Sequence, residues 1–116
     1  DDNPIVFCNV AFQALTGYSR GEIVGRNCRF LQGPDTDPAA VAKVRQAIAE
    51  GHDIDIDLLN YRKDGTTFWN ALYLSPVRDA QGVIRFFFAS QLDVTERVEA
   101  QKIIDHQKKL VEQEVE

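Results

Sequence analysis

The chain has few of the residues that mark nucleic-acid binders, membrane proteins or disulfide-linked secreted scaffolds. Its 116 residues include 13 basic and 18 acidic side chains, which gives a formal net charge of −5. Because phosphate contacts need a basic face, this balance argues against a nucleic-acid partner. No apolar run approaches the length of a membrane span and no signal-peptide pattern is present, so we expect no membrane partner.

Cysteine and methionine are also scarce. Cys8 and Cys28 are the two cysteines, and the chain has no methionine. A domain of this size needs no disulfide, so we expect free thiols and a cytoplasmic location. The start at Asp1 without methionine indicates a piece of a longer protein. With 44% hydrophobic and 27% charged residues, the composition is that of one globular domain.

Turn and capping residues divide the first half of the chain into short elements. The apolar, β-branched run at residues 5–10 predicts a strand. A short helix follows and ends at Gly17, and S-R-G-E at residues 19–22 predicts a capping box for the next one. The D-P pair at residues 37–38 begins a longer helix with an apolar stripe, which ends at Gly51.

The second half of the chain alternates strands and turns. Apolar and acidic residues alternate over residues 54–58, which predicts a strand with one wet face. A K-D-G turn at residues 63–65 leads to a strand over residues 67–77, and a third strand covers residues 83–92. A helix rich in Glu, Gln and Lys follows from Thr95. This order predicts an α+β fold, with an antiparallel meander and helices grouped on one face of the sheet.

The predicted core spans residues 1–93, and residues 94–116 form an exit helix. Apolar residues recur along this helix with Gln107 among them: Ile103, Ile104, Leu110, Val111 and Val115. The helix cannot bury this seam by itself, so the seam either docks on the sheet or pairs with a second copy of the chain. We expect a homodimer contact here.

Three amide side chains lie at unusual positions for strands. Asn60 ends the first strand of the meander, Asn70 follows F-W in the second, and Gln91 lies near the end of the third. Asparagine is depleted in strands, and a buried amide needs hydrogen-bond partners. Any one amide could instead face solvent. All three on adjacent strands favour one polar ligand with mixed donors and acceptors, such as a heterocycle.

One cysteine lies between two arginines in the sequence G-R-N-C-R-F-L-Q. Arg26 and Arg29 would favour the thiolate form of Cys28 and hold an anion nearby. The plainer interpretation is a half-buried turn with solvated arginines. Arg45 lies on the longer helix away from its apolar stripe, so solvent exposure is its default. If Arg29 and Arg45 converge, they would clamp a phosphate, and the whole set would suit a nucleotide-like cofactor.

These motifs resemble one known family. G-R-N-C-R-F-L-Q, with N-P-I-V-F, L-L-N-Y, F-W-N and Q-L-D-V-T, resembles the light-oxygen-voltage (LOV) branch of the PAS domains up to about Asp93. The resemblance implies the PAS fold, a five-stranded antiparallel sheet whose helices enclose a flavin. It also implies a surface ion pair between Glu22 and Lys63. The family's first strand would precede Asp1, and its absence would leave an unpaired sheet edge.

The resemblance also implies a cofactor and a light reaction. The cofactor would be flavin mononucleotide (FMN), bound non-covalently in the dark. Under blue light the sulfur of Cys28 would bond reversibly to flavin carbon C4a, and Gln91, facing N5 and O4, would rotate and relay the signal. The implied contacts are Asn27 and Gln32 with the ribityl and phosphate portion, Arg29 and Arg45 with the phosphate, Asn60 and Asn70 with the pyrimidine edge, and Leu58, Leu72, Leu74 and Phe87 with the ring.

The exit D-V-T-E resembles bacterial sensors joined to histidine kinases. We therefore expect a covalently linked kinase effector and no enzyme activity in this domain. The alternatives are a light-insensitive flavin- or ligand-binding redox sensor and a PAS dimerisation module. The dimerisation module would not need Cys28 with both arginines and all three amides. A flavoenzyme is a further alternative. It would need a spare acid–base pair for catalysis, and the sequence offers none. Haem would need a ligand on the pocket side, but His52 and His106 fall in a turn and in the exit helix, so we expect no metal.

Overall fold

The computed structural model describes Ile5 and residues 9–115, except the side chains of Cys28, Glu114 and Val115. Eight elements follow in chain order: α1 (Val10–Thr16), α2 (Arg20–Ile23), a 3₁₀ helix named here the cysteine helix (Cys28–Leu31), α3 (Pro38–Glu50), β1 (Ile54–Tyr61), β2 (Thr67–Arg78), β3 (Ile84–Asp93) and α4 (Thr95–Val115). The predicted α+β class is confirmed. Within the described part, no helix is both long and apolar enough to cross a membrane.

Side-chain caps begin the first three α-helices. Asn9 Oδ1 accepts the N–H of Phe12 at 2.8 Å at the start of α1. Ser19 and Glu22 form the predicted capping box of α2, and the Asp37 carboxylate caps α3 ahead of its proline. Each cap satisfies a backbone N–H that the helix itself leaves unpaired, which explains why these helices begin where they do.

The prediction of a strand over residues 5–10 is wrong at its end. Val10 is the first residue of α1, because the Asn9 cap outweighs the β-propensity of one valine. Residues 6–8, including Cys8, lie outside the described part of the chain, so the middle of this strand stays a prediction.

Ile5 makes a strand-like pairing with the segment before the cysteine helix. Its N–H donates to the carbonyl of Arg26, and its carbonyl accepts the N–H of Gly25, both at 2.7 Å. Two consecutive residues, Gly25 and Arg26, thus oppose the single residue Ile5, and Gly25 has a positive φ of 93°, which is the arrangement of an antiparallel β-bulge with glycine at its first position. These bonds fix the backbone two residues before Cys28.

The sheet is antiparallel, in the order β1-β2-β3. Leu58 lies opposite Asn70, and Leu72 lies opposite Gln91. Because side chains alternate between the faces of a strand, the even-numbered residues of β1 and β2 share one face with residues 87, 89, 91 and 93 of β3. We call this the inner face. The structure describes three of the five predicted strands.

The hydrophobic core lies between the inner face and α3. Leu58, Leu72 and Leu74 are buried with Ala40 of α3, and Phe87 packs against them while half-buried. Further aliphatic residues of α3 and β1 complete this cluster: Val41, Val44, Ile48, Ile54 and Ile56. Leu58 and Leu72 of this core lie directly opposite Asn70 and Gln91, so the amides border the core on the inner face.

Helix α4 begins against the outer face of the sheet and then exposes its seam. Lys102 Nζ lies 5.5 Å from the ring centroid of Trp69, and Arg97 pairs with Asp57 at 2.8 Å. The described seam side chains are between 45 and 60% exposed: Ile103, Ile104, Leu110 and Val111. In the single chain this part of the seam is therefore open to solvent, and the homodimer contact stays a prediction.

Candidate ligand-binding site

Three amides from three strands meet on the inner face. Asn70 Nδ2 donates to Asn60 Oδ1 at 2.9 Å and to Gln91 Oε1 at 2.6 Å. Asn60 and Asn70 are only 4% and 1% exposed. The sequence predicted a common location for these side chains, and the structure places them in direct contact. We call them the amide cluster.

The amide cluster contains a buried acceptor without a partner. Both protons of Asn70 Nδ2 are used by its two neighbours, whereas its Oδ1 receives no hydrogen bond from any residue that the structure describes. Buried polar atoms are rarely left unpaired, because the loss of hydration without replacement costs about 1–3 kcal/mol. Asn70 Oδ1 therefore fits a ligand that donates an N–H or O–H group.

The strand register explains why these three positions converge. Asn60 is two residues beyond Leu58, which lies opposite Asn70. Gln91 is two residues before the partner of Asn70 on β3. These are diagonal neighbours on one face, within reach of long polar side chains. A shift of one residue in either pairing would turn one amide to the outer face.

Asn60 has a second, local contact. Its Nδ2 donates to the carbonyl of Leu59 at 3.2 Å while its Oδ1 accepts from Asn70. The side chain is thereby held at both ends of its amide, so its orientation is fixed before any ligand arrives. Such preorganisation reduces the entropy lost on binding.

The predicted ring-packing residues lie beside the amide cluster. Leu58, Leu72 and Leu74 are buried, and Phe87 is half-buried, all on the inner face. The same four side chains pack with α3, so they serve the core whatever else they contact. Their contact with a ligand ring stays a prediction.

The cysteine helix is capped by the residue before Cys28. Asn27 Oδ1 accepts the N–H of Arg29 at 2.9 Å. Arg29 is exposed, and the exposed Arg26 guanidinium lies 5.4 Å from the ring centroid of Phe30. The contact of Asn27 with the ribityl chain stays a prediction. What the structure shows is that the Asn27 side chain caps the start of this helix.

The remaining predicted phosphate ligands are near the surface. Gln32 is half-buried and ends the cysteine helix, where its N–H donates to the carbonyl of Arg29 at 3.0 Å. Arg45 is exposed on α3. Exposure of Arg29 and Arg45 suits a phosphate held at the rim of a pocket, but their joint contact stays a prediction.

Arg62 connects several elements, and sequence analysis missed it. Its guanidinium donates to the carbonyls of Leu15 and Thr67, both at 3.0 Å, and lies 3.3 Å from Asp93 Oδ2. It also stacks over the ring of Phe68, 4.8 Å from the centroid. The only available signal was an R-K-D-G turn, which gives no hint of partners so far along the chain.

The same aspartate connects β3 to the exit helix. Asp93 Oδ1 accepts the N–H of Thr95 at 2.9 Å, and Thr95 Oγ1 accepts the N–H of Trp69 at 2.9 Å. The Thr95 hydroxyl and N–H, with the charge of Arg62, lower the pKa of Asp93 below its usual value. The start of α4 is therefore tied both to β2 and to the residue two positions beyond Gln91.

The expected ion pair between Glu22 and Lys63 is present at 2.7 Å. The Lys63 ammonium, together with the N–H of Ser19, lowers the pKa of Glu22 to about 2. Lys63 also donates its N–H to the carbonyl of Thr16 at 2.9 Å. Both charged groups are exposed, so the pair contributes little to stability and chiefly orients α2 against the β1–β2 turn.

The comparisons with known proteins agree with this geometry. Residues 1–96 match the PAS domain family model. A blue-light-activated histidine kinase from Brucella ovis is 53% identical over 107 residues, which are 92% of this chain and 22% of that protein. A kinase of the same name from Rhizobium johnstonii is 53% identical over 107 residues and is covered to 31%. The chain thus spans less than a third of either relative.

Solved structures show the same similarity. The light-state structure of the blue-light photoreceptor Aureochrome1 LOV has 50% identity and a TM-score of 0.82, over 93% of this chain and 84% of that one. The LOV domain of a blue-light activated histidine kinase from Erythrobacter litoralis has 45% identity and a TM-score of 0.78, over 82% of this chain and 87% of that one.

Proposed function

The chain belongs to the PAS domain family and to its LOV branch, and we propose that it senses blue light through a bound FMN. It is a blue-light photoreceptor domain by this relationship. The observation that carries the choice of cofactor is the amide cluster, with its buried acceptor at Asn70. Because the reaction needs Cys28 as a free thiol, we also propose a cytoplasmic location.

The amide cluster suits the pyrimidine edge of a flavin. That edge carries an imide N–H between two carbonyls, and therefore offers a donor flanked by acceptors. Asn70 Oδ1 is a buried acceptor that would take the imide N–H, and Asn60 would bind beside it. Arg29 and Arg45 would hold the phosphate, with Asn27 and Gln32 along the ribityl chain.

Cys28 would supply the sulfur for the light reaction, with the photon as the source of energy. The flavin would supply the light absorption and the reactive carbon C4a. Cys28 would supply the sulfur that bonds there while its S–H proton passes to flavin N5, and it would regain that proton when the S–C bond breaks again in the dark. The step would need no external oxidant or reductant, and its reversal would restore the starting thiol and flavin. Because no substrate would be converted, we propose that this domain acts as a sensor and not as an enzyme.

The proposal is tested by the absorption spectrum of the purified protein before and after blue light. We expect a flavin spectrum in the dark that bleaches on illumination and returns in the dark. Extraction and mass measurement of the released cofactor would then separate FMN from other flavins. A flavin spectrum that is stable to light would contradict the thiol reaction, and a colourless protein would contradict the cofactor.

Gln91 would relay the change at flavin N5. Its Oε1 is held by Asn70 at 2.6 Å, so the amide has Nε2 to offer to an unprotonated N5. If N5 took up a proton, Gln91 would have to rotate to offer its oxygen as an acceptor, and this rotation would break its bond to Asn70. Two residues further on, Asp93 holds the start of α4, which gives the rotation a short path to the exit helix.

We expect a Gln91→Leu variant to form the light product and to lose most of the infrared amide change that accompanies it. The physical reason is that leucine cannot exchange a donor for an acceptor. Gln46→Leu, which removes an exposed amide of α3, is the matched control and should behave as the parent protein. A full amide change in Gln91→Leu would exclude this residue from the relay.

The output would pass through α4 to a covalently linked effector. The exposed seam of α4 favours a homodimer, and relatives of which this chain covers only 22% are named histidine kinases, so a kinase is the proposed effector. Light scattering in darkness and in light would give the dimer population in each state. Monomers in both states, at the concentration where the full protein works, would contradict a dimer contact here.

A further inference from the structure

The loop between the cysteine helix and α3 is fastened to the end of β1 by two long-range hydrogen bonds. Thr36 Oγ1 donates to the carbonyl of Leu59 at 2.7 Å, and the N–H of Asp35 donates to Tyr61 Oη at 3.0 Å. Thr36 Oγ1 also accepts the N–H of Gly33 at 3.0 Å. We call these five residues the loop clamp.

The loop clamp is tightly packed as well as hydrogen-bonded. Thr36 is only 7% exposed. A Cβ added to Gly33 would lie 2.3 Å from the ring of Tyr61, so only glycine allows the loop to approach that ring. Gly33 lies two residues beyond the end of the cysteine helix. The position of that helix is therefore set by where the clamp holds the loop.

The loop clamp and the amide cluster share one acceptor. The carbonyl of Leu59 accepts both Thr36 Oγ1 at 2.7 Å and Asn60 Nδ2 at 3.2 Å. A carbonyl oxygen has two lone pairs, so it can take both donors. One backbone atom thus holds the loop that follows Cys28 and the amide predicted to bind the flavin edge.

We infer that Thr36 is a positioning residue for the light reaction, because its hydroxyl joins the loop after the cysteine helix to the strand carrying Asn60. This inference rests on the proposed function. A bond between sulfur and C4a forms only if the two atoms are held within reach during the short life of the excited flavin, and small misplacements of reacting groups lower rates steeply. Thr36 keeps the two sides of the site at a fixed separation.

Thr36→Val tests this role, since valine keeps the shape of threonine and removes both hydroxyl bonds. We expect the yield of light product per absorbed photon to fall about fivefold, the effect on a conformational equilibrium of the one lost bond that joins the loop to β1, from Thr36 to Leu59. Thr36→Ser retains the hydroxyl and should restore most of the yield. Tyr61→Phe removes only the bond to Asp35 and should lower the yield less.

Two measurements in darkness test whether the loop clamp holds the loop in place, independently of the light reaction. Hydrogen exchange at the Gly33 amide should accelerate in Thr36→Val and remain slow in Thr36→Ser. Alkylation of Cys28, measured in a Cys8→Ser background so that one thiol remains, should also accelerate in Thr36→Val. Both measurements remain informative if the parent protein fails to bleach, in which case the proposed function fails while the clamp is still tested.

An unchanged yield in Thr36→Val with flavin bound would overturn the inference. So would a Thr36→Ser variant as impaired as Thr36→Val, because the hydroxyl would then not be the active group. If Thr36→Val fails to fold, Tyr61→Phe is the deciding variant. It removes the hydrogen bond to Asp35 but keeps the aromatic ring that packs against Gly33, so it should fold. A normal yield and normal Gly33 exchange in Tyr61→Phe would then count against the clamp.

Discussion

Replacing Cys28 with alanine should abolish the reversible bleaching of the flavin under blue light and leave the flavin bound. Alanine lacks the sulfur that forms the bond and has good helix propensity, so the cysteine helix should persist. Its start depends on the Asn27 side chain and on backbone bonds, which the substitution leaves in place. The measurement is the absorption spectrum before and after illumination, with flavin content determined by extraction.

Two further variants make the Cys28→Ala result specific. Cys28→Ser keeps a small polar side chain but carries a far weaker nucleophile, so it should also fail to bleach. Cys8→Ser removes the other thiol of the chain and should bleach as the parent protein does. Persistent bleaching in Cys28→Ala, or its loss in Cys8→Ser, would move the reaction to a different residue.

Local signals in the sequence account for most of the fold. The capping box at Ser19, the Asp37 cap and the alternation along β1 each depend on residues within one element, so the physical cause is visible in a short window. Alternation also predicts that Asn60 and Asn70 belong with apolar residues on one face. Their contact required only the register that the short turn before β2 imposes.

The contacts that the sequence did not reveal are those made over long range to backbone atoms. Thr36 bonds to a carbonyl 23 residues away, and Arg62 bonds to one 47 residues away. A backbone carbonyl has no sequence signature, so neither partner can be recognised from residue types. Val10 was mispredicted for a local reason. Its strand propensity suggested the end of a strand, but the Asn9 cap makes it the first residue of α1.

The amide cluster places polar side chains inside a small hydrophobic core, and this has an energetic cost in the free protein. Asn70 satisfies two neighbours and leaves Oδ1 for the ligand, so the free protein carries the cost of one unpaired buried oxygen. Binding of a donor removes that cost. A strand position that reduces the stability of the free protein would therefore contribute to affinity for the proposed ligand.

Replacing Asn70 with leucine should weaken flavin binding more than any other substitution on the inner face. Leucine removes the acceptor predicted to take the imide N–H, and it also leaves Asn60 Oδ1 and Gln91 Oε1 without their donor. Burying the imide N–H of the flavin without its acceptor would cost about 2–3 kcal/mol, which is roughly a 30- to 150-fold increase in Kd. Titration of the flavin-free protein with FMN, followed by flavin fluorescence, measures this change.

The stability of the flavin-free protein should change less than the affinity does. Leucine removes one unpaired oxygen from the interior while it deprives two acceptors of their donor, so the two effects oppose each other. Tyr73→Phe is the control, because it removes a hydrogen bond to Asp53 from the outer face of the same strand. Its Kd should equal that of the parent protein. An equal Kd in Asn70→Leu would show that the flavin edge is not bound at the amide cluster, whatever the protein does in light.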